Sequence, residues 1–179
     1  MKTSIFTAIT VLMMMTTTSF SQNTTSSENH GGVLNLGLGI GGYSGYYGYA
    51  GRSLPVFTVN YEFDVARNFT LAPFVSLYSY RHNEDHYRET IIPIGVKGSL
   101  YLDQILNAGS DWDFYLAGSL GFALRNSRWD DGYNGNTLYH DRSPLFLDLH
   151  VGTEYHISNN LGLFLDLSTG VSTIGLSFH

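Results

Sequence analysis

Histidine and carboxylate side chains that could bind a metal ion are concentrated in one short segment, residues 81–89. His82 and His86 lie there beside three carboxylates, and imidazole nitrogens and carboxylate oxygens are common zinc ligands. Their spacing matches no defined metal site, and a polar run of this kind is typical of a solvated loop tip. We therefore expect no metal ion and no cofactor, and keep both histidines as candidates for loop binding.

Two further segments contain residues suited to binding. Residues 126–143 include Trp129, Asp130 and Asp131, whose oxygens suit calcium in type but not in the order that a calcium-binding loop requires. An earlier Gly/Tyr-rich segment contains Tyr46 and Tyr47, and tyrosine offers a large contact area with a polar tip at low entropic cost. The tyrosine segment is a candidate surface for protein or glycan, although it fits an interfacial aromatic belt equally well. The segment with Trp129 is a candidate neighbour of lipid A phosphates or of divalent ions that bridge them.

One arrangement could perform hydrolysis. His156, Ser158 and Asn159 resemble the His-x-Ser-Asn element of outer-membrane enzymes that remove acyl chains from lipid A at the outer rim of a barrel. In the topology derived below these residues fall in a periplasmic turn, and serine before two asparagines suits a turn. We therefore predict no catalytic residue, and a lipid A-modifying enzyme remains an alternative.

Strands must position these residues, because apolar and polar side chains alternate with a period of two along most of the chain. The apolar positions of one C-terminal segment are Leu145, Leu147, Leu149 and Val151, and the polar or mixed positions are Phe146, Asp148 and His150. Segments of this kind occur at about residues 33–41, 55–63, 69–80, 90–102 and 112–125, and others begin near Leu145, Leu161 and Ile174. The sequence therefore predicts an even number of strands, eight.

Composition indicates what surrounds these strands. The 179 residues are 43% hydrophobic and only 13% charged, against about 25% charged in an ordinary soluble protein. No apolar run after the N-terminus is long enough for a membrane-spanning helix. An antiparallel sheet whose apolar face contacts lipid must close on itself, because every backbone N–H and C=O then needs an internal partner. We predict an all-β fold, an eight-stranded antiparallel up-and-down transmembrane β-barrel.

Other features limit the compartment and the partners. Lys2, the apolar stretch 5–15 and Ser19-Phe20-Ser21 are typical of a signal peptide. The expected domains are therefore a signal peptide at 1–21, a disordered leader at 22–32 and a barrel at 33–179. Cysteine is absent, which excludes disulfides and thiolate sites. A net charge of −6 without a basic block argues against nucleic-acid binding.

The inward face of the predicted barrel carries charges of both signs. An eight-stranded barrel has an interior that side chains can just fill, and unpaired buried charges are costly. We therefore predict an ion-pair network in the lumen, with a structural role, formed by Glu62, Lys97, Arg125, Asp148, Glu154 and Asp166.

Connections that alternate between long and short predict the orientation, with long loops outside the cell and short turns in the periplasm. Outward aromatic residues should form a girdle at the periplasmic interface; these are Tyr61, Phe63, Phe69, Trp112, Tyr155 and Phe178. Pro73 and Pro93 lie within predicted strands, where each removes a ladder hydrogen bond. We expect β-bulges at both prolines, or strand boundaries shifted by a few residues.

The hairpin sequence from Tyr155 to Leu167 and the ending Ile174-Gly-Leu-Ser-Phe-His resemble the last strands of small outer-membrane β-barrel proteins, the OmpA transmembrane-domain and OmpX-like group, in the style of Bacteroidota. The resemblance extends over about residues 33–179 and concerns fold rather than chemistry. It implies a bacterial outer-membrane protein with lipid or lipopolysaccharide neighbours.

The predicted function is a non-enzymatic structural, adhesive or accessory role in the outer membrane, alone or within a larger outer-membrane complex. A second alternative to this prediction is a soluble periplasmic lipocalin-like barrel, with the leucine-rich face turned inward around a ligand. That alternative would need a Lys- and Glu-rich surface, whereas the opposite face is built mainly of Gly, Ala, Ser, Thr and Tyr.

Overall fold

A computed structural model describes residues 30–42, 54–82, 87–106, 109–129, 132 and 144–179. Eight strands and one helical turn are present in these ranges: β1 (Val33–Gly41), β2 (Leu54–Ala66), β3 (Phe69–His82), β4 (Tyr87–Tyr101), α1 (Asp103–Leu106), β5 (Trp112–Trp129), β6 (Leu145–Ser158), β7 (Leu161–Ser168) and β8 (Val171–Phe178). Within these ranges, no helix has the length and apolar character needed to cross a membrane.

The strands form one closed antiparallel barrel in sequence order, and β8 pairs with β1 to complete it. The closing ladder extends from Leu34 opposite Phe178 to Gly41 opposite Val171. Consecutive strands are also neighbours in every other ladder, so the topology is up-and-down. The predicted fold class, an eight-stranded antiparallel barrel, is confirmed.

The expected β-bulges at the two in-strand prolines do not occur. Register is unchanged across Pro73, because Asn60 pairs with Phe74 on one side of it and Phe63 with Leu71 on the other. Each proline is also a paired position in one of its two ladders, Pro73 with β4 and Pro93 with β5. Register shifts instead occur next to turns, between 64 and 66 in β2 and between 156 and 158 in β6.

Alternation along the strands places the two faces as predicted. The leucine-rich face is solvent-accessible on the outside of the barrel, and its exposed members on β6 are Leu145, Leu147, Leu149 and Val151. The alternate positions Phe146, Asp148 and Glu154 are buried in the lumen. This orientation is the opposite of the one that a lipocalin-like ligand binder requires, so that alternative is wrong.

Large aromatic side chains fill the lumen, and four of them lie across from a glycine on a neighbouring strand. The pairs are Phe74 with Gly95, Tyr115 with Gly152, Phe146 with Gly121 and Phe164 with Gly175. A Cβ added at Gly152 would lie 2.1 Å from the Tyr115 ring, and one at Gly175 would lie 2.7 Å from the Phe164 ring. Glycine is therefore required at these positions, because a second side chain has no room beside the ring.

The two ends of the barrel differ. At one end, the turn end, strands are joined by residues 67–68, 102–111 and 159–160; at the other, the loop end, they are joined by 42–53, 83–86, 130–144 and 169–170. The six predicted girdle residues all lie on the outward face near the turn end, where the rings of Trp112 and Tyr155 approach to 4.9 Å.

Strands β3, β4 and β5 are longer than expected and extend past the others at the loop end. The ladder between β5 and β6 ends at Phe122 opposite Leu145, whereas β4 and β5 remain paired as far as Tyr87 opposite Trp129. His82 and Trp129 therefore belong to strands rather than to loops. At the turn end, His30 is buried although it falls within the predicted disordered leader, so the ordered chain begins before residue 33.

Replacement of Leu149 by arginine tests the outward face. Leu149 lies near the middle of the outer apolar band and is 62% exposed. In a lipid bilayer a charge at that depth should destabilise the folded barrel by about 2–4 kcal/mol, measured by urea unfolding in liposomes. Leu149→Phe is the matched control and should change little. Equal tolerance of both variants would contradict the assignment of the faces.

Candidate functional site

The centre of the lumen is organised around Asp166 on β7. Its Oδ2 atom accepts hydrogen bonds from Lys97 Nζ at 3.1 Å and from the Tyr115 hydroxyl at 2.9 Å. The Lys97 ammonium also lies 4.9 Å from the centre of the Tyr115 ring. The fold brings these groups together because each occupies an inward position of β4, β5 or β7.

A hydrogen-bonded chain continues from Asp166 to a serine. Asp166 Oδ1 lies 2.7 Å from His150 Nδ1, and His150 Nε2 lies 2.9 Å from Ser119 Oγ. Carboxylate, imidazole and hydroxyl in this order are the groups of a Ser-His-Asp triad. Ser119 is only 3% exposed, however, and Lys97 already neutralises the carboxylate. The chain can relay a proton.

A cavity of about 60 Å³ adjoins this chain, lined by Lys97, Ser119, Asp148, His150 and Asp166 among others. Such a volume holds about four water molecules and does not accommodate an acyl chain. Towards the loop end the lumen contains an apolar cluster, hereafter the plug; it consists of Val56, Tyr78, Ile91, Ala123 and Phe146, with Phe74, Trp129 and Val171 packed against it.

Glu62 is the centre of a second buried group. Its carboxylate accepts hydrogen bonds from Thr70, from the Tyr101 hydroxyl at 2.9 Å and from Asn35 Nδ2 at 3.3 Å. The same Asn35 nitrogen donates to Asn60 Oδ1 at 3.0 Å. Glu62 is therefore held by neutral donors from three other strands and lies within electrostatic reach of Lys97.

Histidines and carboxylates fill the turn end of the lumen. Glu154 Oε1 lies 2.7 Å from His179 Nε2 and 4.0 Å from His156 Nδ1. His156 Nε2 lies 2.9 Å from an oxygen of Asp113. His30 stacks on Tyr101 with ring centres 3.9 Å apart, and its two nitrogens are each 3.7 Å from a carboxylate, those of Asp103 and Asp113.

Asp103, the first residue of α1, is held in an unusual environment. Its Oδ1 accepts the backbone N–H of Phe114 at 2.6 Å. Among the described residues no hydrogen-bond donor reaches its other oxygen, which is buried. Burial raises the pKa of the Asp103 carboxyl; the Phe114 N–H opposes this shift and the nearby Asp113 carboxylate adds to it.

The six predicted lumen charges do not form one network. Lys97 and Asp166 form a direct ion pair, and Glu62 and Glu154 lie within electrostatic reach of Lys97. Arg125, also predicted to belong to this network, interacts with Glu89 nearer the loop end. Asp148 accepts a hydrogen bond from the Thr169 hydroxyl at 3.3 Å and stands apart from both cations.

The candidate binding residues of the loops have varied positions. Tyr46, Tyr47, His86, Asp130 and Asp131 lie outside the described residues, and His82 ends β3. Trp129 packs against the plug inside the barrel rather than lying in a loop, so its prediction as a loop-binding residue was wrong.

The element that resembles a lipid A deacylase is not assembled. The ring of His156 faces carboxylates in the lumen. Ser158 is exposed, and its hydroxyl accepts the backbone N–H of Asn160 at 3.4 Å, as expected of a turn residue.

The lumen histidines were not predicted from the sequence. The period-two pattern places His150 and His156 on the inward face of β6, and it places His179, just after β8, on the inward face as well. The pattern could therefore have identified these histidines as partners of the lumen carboxylates. His30 precedes the first strand and shows no periodic signal. Its contact with Tyr101 and Asp113 depends on how the chain folds over the turn end.

No protein-family model matches the chain, and no curated protein does. Solved structures similar to it include the following two. Neisserial surface protein A has a TM-score of 0.53 and 13% identity, covering 82% of this chain and 93% of that one. The Yersinia pestis outer membrane protein Ail has a TM-score of 0.48 and 8% identity, with 82% and 96% covered. The likeness to Neisserial surface protein A is one of fold.

Removal of the carboxylate charge at Asp166 tests the central ion pair. Asp166→Asn leaves the buried Lys97 ammonium without its counter-ion, which should destabilise the barrel by about 3–5 kcal/mol. In the double variant Asp166→Asn/Lys97→Met neither member of the pair remains charged without the other, so much of the stability should return. Urea unfolding of the refolded protein measures both. A double variant as unstable as the single one would show that the pair is not the relevant interaction.

Proposed function

We propose that this chain is an exported integral protein of the bacterial outer membrane, anchored by its barrel, with a non-enzymatic structural, adhesive or accessory role. The observation that carries the proposal is the continuous apolar outer face on all eight strands. Every backbone group of a closed barrel finds its partner within the sheet, as hydrocarbon surroundings require. The fold shared with Neisserial surface protein A supports the same location.

The side chains that fill the lumen favour an anchoring role over a channel. The plug occupies the loop-end half of the lumen, and the Asp166 and Glu62 groups, with the rings of Tyr115 and Tyr101, occupy the rest towards the turn end. Eight strands leave only enough space for side chains, so solute transport is not part of the proposed role. The cavity beside Ser119 is likewise too small for an acyl substrate, which disfavours the lipid A-modifying alternative.

A row of arginines at the loop end indicates an anionic neighbour. Arg88 of β4 lies directly opposite Arg128 of β5, and Arg81 of β3 lies opposite Arg88 in the next ladder. Like charges directly opposite each other on a sheet are destabilising, unless an anion bridges them. Arginine binds phosphate with two parallel hydrogen bonds, so phosphate groups suit this row.

The height of the arginine row fits the head groups of the outer leaflet. Arg88 and Arg128 are exposed on the outer face of the extension formed by β3, β4 and β5. The last apolar outward pair below them is Ile92 with Leu124. Four residues of strand separate the two pairs, about 13 Å along the chain. We therefore propose lipopolysaccharide phosphates as the partner at this position; the same extension could contact a larger outer-membrane complex.

Purification from isolated outer membranes tests both the location and the partner. Wild-type protein should fractionate with outer membranes, migrate faster in gels before boiling than after it, and retain bound lipopolysaccharide in mild detergent. The double variant Arg88→Glu/Arg128→Glu should fold and fractionate normally but retain several-fold less lipopolysaccharide, because two phosphate-binding cations are replaced by anions.

Arg67→Glu, in the β2–β3 turn, changes a charge at the opposite end and serves as the control that should retain it. A soluble protein without a heat shift would contradict the proposed location. Unchanged lipopolysaccharide content in the double variant would contradict the proposed partner alone.

A further inference from the structure

Three side chains at the turn end of the lumen converge on a common point. They are Glu154 and His156 on β6 and His179 immediately after β8, and one ligand atom of each lies within 4.8 Å of those of the other two. We propose that these residues form a binding site for a divalent transition-metal ion of the zinc class. The proposal is independent of the arginine row and of the anchoring role.

The donor set suits zinc. Two imidazole nitrogens and one carboxylate oxygen form the protein ligand set of one well-known kind of open zinc site, in which water completes the coordination. With bonds of about 2.0–2.1 Å, tetrahedral ligands lie about 3.3 Å apart. The observed separations from Glu154 Oε1, 2.7 Å to His179 Nε2 and 4.0 Å to His156 Nδ1, lie on either side of that value. All three ligand atoms lie within 4.8 Å of one another, so side-chain adjustments on the order of 1 Å would bring them to tetrahedral spacing.

A second carboxylate orients one of the ligands. His156 Nε2 lies 2.9 Å from Asp113 Oδ2, which places the proton of the neutral ring on Nε2 and leaves the Nδ1 lone pair directed towards Glu154. Metal-binding histidines characteristically donate their other N–H to a carboxylate in this way, which fixes the tautomer and increases ligand basicity. Asp113 is therefore a positioning residue of the proposed site.

The fold holds the ligands in place. Glu154 and His156 share the inward parity of β6, and His156 lies opposite Gly162 of β7. A Cβ at Gly162 would lie 2.0 Å from Glu154 Oε1, so the glycine makes room for this carboxylate. The backbone N–H of His179 donates to the Asn160 carbonyl at 3.2 Å, which fixes the residue beside the β6–β7 turn.

Charge and access both favour a cation. The carboxylates of Glu154, Asp113 and Asp103 meet at this end with histidines between them, and the one oxygen of Asp103 that accepts no hydrogen bond among the described residues has His30 Nε2 at 3.7 Å. His156 and His179 are half-exposed or exposed, whereas Glu154 is buried. A metal ion would thus reach the site from the turn end and retain water ligands on the open side.

Binding is tested with Zn²⁺ itself. The folded full-length protein in detergent at pH 7.5, stripped with EDTA and freed of chelator, is titrated with Zn²⁺ in competition with a chromogenic chelator. Wild-type protein should bind one equivalent in the site. Asp113→Asn should weaken it by about 10- to 100-fold, and His156→Gln, His179→Gln and Glu154→Gln should each weaken it further, because each removes a ligand.

The double variant His82→Gln/His86→Gln is the control, since it removes two histidines from the β3–β4 region and should leave the affinity unchanged. Heat-modifiable migration confirms that every variant is folded. The proposal also requires that Zn²⁺ raise the unfolding temperature of wild-type protein and not that of His179→Gln. A folded wild-type protein that binds no Zn²⁺, or binding that survives the ligand substitutions and disappears in the His82/His86 control, would overturn it.

Discussion

The structure depends on one geometric constraint: in a closed sheet of eight strands every second side chain points into a lumen too narrow for bulk solvent. Polar residues excluded from the apolar outer face must therefore satisfy one another inside. The aromatic–glycine pairs fill the lumen without steric overlap, because each ring occupies the space beside a glycine that has no side chain. The Lys97–Asp166 ion pair neutralises one buried carboxylate. The other polar side chains of the lumen surround the carboxylates that this pair does not neutralise.

Those remaining carboxylates explain the distribution of the neutral donors and histidines. Glu62 is satisfied by hydroxyl and amide groups from three other strands, whereas Asp166 and Glu154 use imidazoles. Histidine can donate a hydrogen bond while neutral, accept a proton or bind a metal. The histidines at the turn end can therefore interact with the buried carboxylates in any of these ways. At the other end the lumen contains the apolar plug, with Glu89 and Arg125 interacting beside it. The two proposed sites thus lie at opposite ends of the barrel: the phosphate contact outside the loop end and the cation site within the turn end.

The sequence predicted the fold well because period-two alternation is a local property, visible in segments such as Leu145–Val151. Strand number, faces and topology follow from it together with the turn positions. Which charged side chains meet inside the lumen is not a local property of the sequence. Arg125 and Lys97 both point inward, but they lie at different positions along the barrel axis. Only the register between neighbouring strands decides that Arg125 meets Glu89. The bulges expected at the prolines do not occur. A proline can pair with the strand on one side and lose its ladder hydrogen bond only to the strand on the other side. Trp129 was wrongly placed in a loop because strand β5 continues beyond the last residue of the alternating apolar pattern from which its end was predicted.

The central claim is that the leucine-rich face contacts lipid and that the opposite face fills the lumen. The two tryptophans of the chain allow the most direct test of this claim. Trp112 is on the outer face at the turn end, and Trp129 packs against the plug. In liposomes of brominated phospholipid, the fluorescence of a Trp129→Phe variant, which retains Trp112, should be strongly quenched. The fluorescence of a Trp112→Phe variant should be quenched little. Equal quenching of both, or quenching of Trp129 alone, would contradict the account.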